Sequence, residues 1–144
     1  IADGDWSSDV CSSDLVGIRG YESPGFFEFA EESGLSLFTV RDIETRGIRD
    51  VVREAITDAA ADADAVYVTF DIDSVDPSVA PGTGTPEPGG LSASQALTVM
   101  ETLGEHDSVG AVDLMEVSPP LDPTDNTSRL GAYLLTTLLE QQFA

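Results

Sequence analysis

Residues 65 to 77 read AVYVTFDIDSVDP. Six of the first eight are apolar or aromatic, β-branched valine recurs, and two aspartates close the run. This composition predicts a strand ending at Asp71, of the near-continuous apolar kind that parallel sheets bury on both faces. Residues two apart on an extended chain point to the same side, so Asp71 and Asp73 present two carboxylates together. In open α/β sheets ligands bind beyond the carboxyl ends of the strands, where this pair lies.

The pattern repeats outward from that strand. Upstream, Ile48, Val51, Val52, Ala55 and Ile56 fall at helical spacing and predict an amphipathic helix from Ile43 to about Ala61. Before it come a strand over Leu35 to Val40, a short helix over Pro24 to Glu32 opened by Ser23 and Pro24 and closed by Gly34, and a strand over Leu15 to Arg19. Downstream, a turn-rich loop covers Ser74 to Gly90. Ser92 or Ser94 then caps a helix to about Leu103, Ser108 to Val117 is a fourth strand, and Asp125 to Gln141 is a closing helix. Strand and helix in alternation imply parallel pairing with right-handed crossovers, hence an α/β layered fold. Four strands supply only part of such a sheet. Residues 1 to 15 stand apart: WSSDVCSSDL, residues 6 to 15, repeats Ser-Ser-Asp, lacks periodicity, and resembles a translated sequencing-adapter remnant or a Ser/Asp-rich loop.

The acid balance constrains the partners. Asp and Glu number 27 against 6 cations, all arginine, for a formal net charge of -21. Such a charge repels nucleic acid and anionic membranes, and its self-repulsion calls for a salt-rich, halophile-like interior. Disorder is excluded by the apolar runs AVYVTFDI and LGAYLLTTLL. Cys11 is the sole cysteine, so no internal disulfide forms, and no stretch reads as a membrane span or signal peptide. A cytoplasmic protein is the expectation.

Two carboxylates held close together require a metal or a shared proton, and hard oxygen donors suit Mg or Mn, singly or as a bridged pair. Turn formation or helix capping by the same aspartates is the structural alternative. An apolar strand followed by Asp-x-Asp also describes the nucleophile motif of haloacid-dehalogenase-like phosphatases. That chemistry ordinarily uses a lysine to hold phosphoryl charge, and the chain has none. The next loop, APGTGTPEPGGLS at residues 80 to 92, holds four glycines and three prolines, without the spacing of a dinucleotide fingerprint.

The whole string DIDSVDPSVAPGTGTPEPGGLS, residues 71 to 92, closely resembles the signature region of the arginase, agmatinase and formiminoglutamase family, the ureohydrolases. VGIRG (16 to 20), SLFTV (36 to 40), VGAVDLMEVSPPLD (109 to 122) and DNTSRLGAYLL (125 to 135) extend the resemblance over roughly residues 16 to 143. The resemblance implies a three-layer α/β/α arrangement around a mainly parallel sheet, with residues 16 to 144 forming the C-terminal part of the domain. It implies that Asp71 and Asp73 help hold two Mn2+ ions, that Glu116 receives the substrate guanidinium, and that Thr85 lines the same pocket. Asp113 is then an outer carboxylate that orients rather than ligates, while Asp76, Asp122 and Asp125 are turn or cap residues. A histidine in a Gly-Gly-x-His strand end, an Asp-Ala-His-x-Asp segment and a catalytic His-Gly are family features absent here. His106, the only histidine, is placed at the end of a helix in GEHDS, facing solvent and far from the motifs. The implied reaction is attack by metal-bound hydroxide on a guanidinium carbon, releasing urea and an amine. Agmatine to putrescine is the first choice, and arginine or a guanidino acid the alternative. The chain itself is expected to be truncated and inactive, or a non-catalytic fragment keeping only the fold. The complete enzyme is expected to be a trimer or hexamer.

Overall fold

The computed structural model describes residues 14–20 and 25–143. Ser23, Pro24, Cys11 and most of the atypical N-terminal stretch lie outside the described residues. Four strands and five helices follow in the expected order: β1 (Asp14–Ile18), α1 (Phe26–Glu32), β2 (Ser36–Thr39), α2 (Val40–Arg46), α3 (Ile48–Ala59), β3 (Val66–Asp71), α4 (Ala93–Gly104), β4 (Val109–Met115) and α5 (Asn126–Gln142). β1 begins at Asp14, so its first two residues fall inside the stretch set aside as atypical.

Both strand pairs are parallel, β1 with β2 and β3 with β4, as an α/β fold requires. Among the described residues they form two separate two-stranded sheets rather than one four-stranded sheet. The helix expected from Ile43 to Ala61 is two helices. Thr39 starts the first, its hydroxyl accepting from the Asp42 amide while the Asp42 carboxylate accepts from the Thr39 amide. Gly47, at φ +90°, ends it in a backbone region that residues with a Cβ avoid, and α3 restarts beyond. Ser92 rather than Ser94 caps α4, through the same reciprocal bonding with Gln95.

The core gathers the apolar faces of α3 and α4 against β3: Val51, Val52, Ile56, Met100, Leu103, Val66 and Phe70. Ion pairs of Arg49 with Glu101 and Glu105, at 2.9 and 3.1 Å, join α3 to α4 at the rim. These are half-exposed and contribute about 0–1 kcal/mol each. β3 departs from the expectation of burial on both faces. Val66 and Phe70 are buried, but Tyr67 on the opposite face is 64% exposed. Tyr67 bears a phenol whose hydroxyl donates to Asp113 on β4, so this face is polar at its rim. Tyr67 and Thr69 share the outer, exposed face of the strand, a division by face that apolar composition alone does not reveal.

Candidate active site

The carboxyl ends of β3 and β4 carry the candidate residues. After Asp71 the chain enters a 3-10 turn over Ile72–Ser74, and Ile72 plugs into the core with no exposed surface. Burying Ile72 leaves Asp71 and Asp73, on either side of it, lining one cavity of about 790 Å3. Thr85 and Glu87, from the Gly/Pro-rich loop, and Arg19, just past β1, line the same cavity. The Thr85 hydroxyl donates to Asp73 Oδ2 at 2.7 Å, which fixes the direction of that carboxylate. Glu116 stands immediately after β4, beside Asp71 but not in the cavity lining, and its backbone is left-handed at φ +65°. A residue with a side chain holds that conformation only where its surroundings impose it, as they do at many functional sites.

Electrostatics bind this group together. Burial pushes the Asp71 carboxyl above its ordinary pKa, and repulsion from Asp73, Glu116 and Asp113 adds to the rise. Asp71 thus feels three other carboxylates, while the cation on the same cavity, Arg19, is directed at backbone carbonyls rather than at these side chains. Asp113 accepts the Tyr67 hydroxyl with one oxygen, while its buried Oδ1 has no partner among the described residues. Even so, the described residues contain no group of three or more Asp, Glu, His or Cys side chains placed to hold an ion. Two neighbouring carboxylates do not make a closed metal cage, so this set of donors does not by itself fit the binuclear centre.

Arg19 is the residue that sequence reasoning missed. Its guanidinium donates to the backbone carbonyls of Asp73 and Glu87, the latter at 2.9 Å, tying the end of β1 to both loops of the site. The available signal was its place at a strand end in a chain with only six cations. Two of the other acidic residues, Asp76 and Asp122, behave as expected. Asp76 closes a turn, accepting from Ser78 and from the Gly89 amide at 2.8 Å, and these bonds lower its pKa to about 2. Asp122 serves the start of α5: burial raises its pKa, but bonds from Ser128 and Thr127 pull it down further, leaving it lowered overall. Asp125 occupies the cap position itself, yet makes no capping bond with its side chain. His106 is half-buried in the turn before β4, at the opposite end of that strand from Glu116, where its Nδ1 accepts from the Ser108 amide.

The Gly/Pro-rich loop is held from beneath. The Gly82 amide donates to Thr127 Oγ1 at 2.8 Å, and a Cβ at Gly82 would lie 2.4 Å from that of Asp122, so only glycine fits there. A family model, that of the arginase family, matches residues 8–140. The chain belongs to the arginase family. The agmatinase of Chromobacterium violaceum is 42% identical over 131 residues, covering 91% of this chain and 38% of that protein. The guanidinopropionase of Pseudomonas aeruginosa is 40% identical over 125 residues, covering 86% of this chain and 38% of that protein. The solved arginase of Bacillus caldovelox superposes with a TM-score of 0.80 at 32% identity, covering 87% of this chain and 42% of that one. This arginase-family chain therefore spans about two fifths of the length of these relatives.

Proposed function

We propose that this chain supplies the acidic, guanidinium-receiving side of a ureohydrolase site that converts a guanidino compound to urea and an amine, with agmatine as substrate. The observation that supports this reading is the meeting of Asp71, Asp73 and Glu116 at the carboxyl ends of two adjacent parallel strands. A guanidinium is planar and offers paired N–H donors that a carboxylate such as Glu116 accepts side-on. Its positive charge also relieves the repulsion that raises the Asp71 pKa. Asp71 and Asp73 would serve as two oxygen donors to Mn2+ or a similarly hard ion, with the remaining donors coming from outside the described residues. Such an ion, when bound, supplies a hydroxide at neutral pH. Thr85 and Arg19 keep Asp73 and its loop in place. Without the remaining donors this chain is inactive alone.

Charge favours agmatine over guanidino acids. Agmatine is a dication, and the cavity mouth bears Asp71, Asp73 and Glu87. Among the described residues the cation there is Arg19, which is engaged by the carbonyls of Asp73 and Glu87, so a substrate carboxylate meets repulsion. The loop APGTGTPEPGG resembles agmatinases more than arginases. The test is urea release with Mn2+ from agmatine, arginine and 3-guanidinopropionate by this chain joined to the remainder of the Chromobacterium violaceum agmatinase. Agmatine should be preferred, and Glu116→Gln should lower kcat/KM about 100-fold, since the amide keeps the shape but loses the charge and one of the two acceptors that a guanidinium pairs with. Preference for either of the other substrates overturns the choice of agmatine. Full activity in Glu116→Gln overturns the role of Glu116.

A further inference from the structure

We infer that Glu87 reads the far, ammonium end of the substrate and so sets the preference for a guanidino compound that carries a second cation. This inference rests on the guanidino-hydrolase reading above and adds a division of labour among the acids of the cavity. Asp14 lines the cavity at the amino end of β1, away from the strand ends where the candidate site lies. Asp71 and Asp73 are assigned as ion donors, and Glu116 beside Asp71 as the guanidinium receiver. Glu87 is left as a lining acid without a task.

Its main chain is held in place. Pro86 and Pro88 flank it, and the residue before a proline is confined to extended backbone. The Arg19 guanidinium donates to the Glu87 carbonyl through Nε at 3.3 Å and through Nη2 at 2.9 Å. The carboxylate lies over Gly20, with Oε2 standing 2.7 Å from where a Cβ on that glycine would be. No hydrogen bond or ion pair among the described residues engages this carboxylate. A chain with 27 acids exposes many carboxylates to water, but Glu87 differs in bordering the cavity on a clamped backbone. A receptor whose main chain is ordered in advance gives up less freedom on binding, so a pair formed there is stronger than one made by a mobile surface acid. Reach agrees. Arg19 Nη2 donates to the carbonyls of both Asp73 and Glu87, so those two oxygens lie within about 6 Å of each other. Agmatine has six bonds from guanidinium carbon to amine nitrogen, and at roughly 1.25 Å of advance per bond it spans about 7.5 Å. A guanidinium at the ends of β3 and β4 therefore leaves the amine within reach of Glu87. The same carboxylate repels the acid group of arginine or 3-guanidinopropionate.

The experiment measures urea release by this chain joined to the remainder of the Chromobacterium violaceum agmatinase, with agmatine and with n-butylguanidine, which keeps the four-carbon chain and lacks the amine. Glu87→Gln should raise KM for agmatine about tenfold at unchanged kcat, as loss of a contact made equally in the ground and transition states requires. It should leave n-butylguanidine turnover unaffected. Glu87→Lys should lower the ratio of agmatine to 3-guanidinopropionate kcat/KM by at least about tenfold, since the new charge repels one tail and attracts the other. The neutral substrate also controls for folding, because a displaced loop lowers both turnovers alike. Equal losses on agmatine and n-butylguanidine, or no loss on agmatine, overturn the role of Glu87 and leave the ureohydrolase reading intact. An unchanged agmatine to 3-guanidinopropionate ratio in Glu87→Lys does the same. Absence of urea from every guanidine with the unsubstituted joined protein overturns that reading and this inference with it.

Discussion

Replacing Thr127 by Val tests how the Gly/Pro-rich loop is anchored. Thr127 has no exposed surface, and its hydroxyl oxygen accepts the amide of buried Gly82 at 2.8 Å. Valine keeps the shape and removes the acceptor, leaving a buried N–H unpaired at a cost of about 2 kcal/mol. Unfolding entropy near 2.1 cal/mol/K per residue over 144 residues is about 0.3 kcal/mol/K, so Tm should fall by about 7 °C. Thr127→Ser keeps the hydroxyl and loses one methyl, costing about 1 kcal/mol and about 3 °C. Thermal unfolding by circular dichroism gives both shifts, and amide exchange across residues 80 to 85 should rise more in the Val variant than in the Ser variant. Because Thr85 sits three residues beyond Gly82 and directs Asp73, the loosening should reach the site. A Val variant as stable as the Ser variant would refute the reasoning, for the methyl and not the hydrogen bond would then carry the anchor.

Asp76 has a folded pKa of about 2, below its ordinary 3.8, so the stability it confers is fully present above pH 3.8 and disappears as pH falls through about 2. Asp76→Asn should flatten the acid limb of a Tm-against-pH curve between about pH 4 and pH 2, and an unchanged limb would remove Asp76 as its cause. Glu116 holds a left-handed backbone, so Glu116→Gly should raise stability by up to about 1 kcal/mol while eliminating the guanidinium receiver, measured as a higher Tm and lost urea release in the joined protein. A net charge of -21 should make Tm climb as NaCl rises from about 0.01 to 1 M, where the screening length shrinks from about 30 to 3 Å. A Tm flat in salt would end the inference of a salt-rich interior.

Periodicity and composition determined much of this protein. The alternation of apolar runs with 3.6-residue patterns is a local property, so the order of strands and helices, their parallel sense and the position of Asp71 and Asp73 at a strand end were legible without coordinates. The unbroken motif of residues 71 to 92 carried the family. Tertiary structure alone decided the rest, because it depends on residues far apart in sequence. The exposure of Tyr67 follows from which face of β3 the helices cover. Arg19 reaches Asp73 across 54 positions and Thr127 reaches Gly82 across 45, pairings no local pattern encodes. The left-handed backbone at Glu116 and the division of the four strands into two pairs were likewise visible only in the structure.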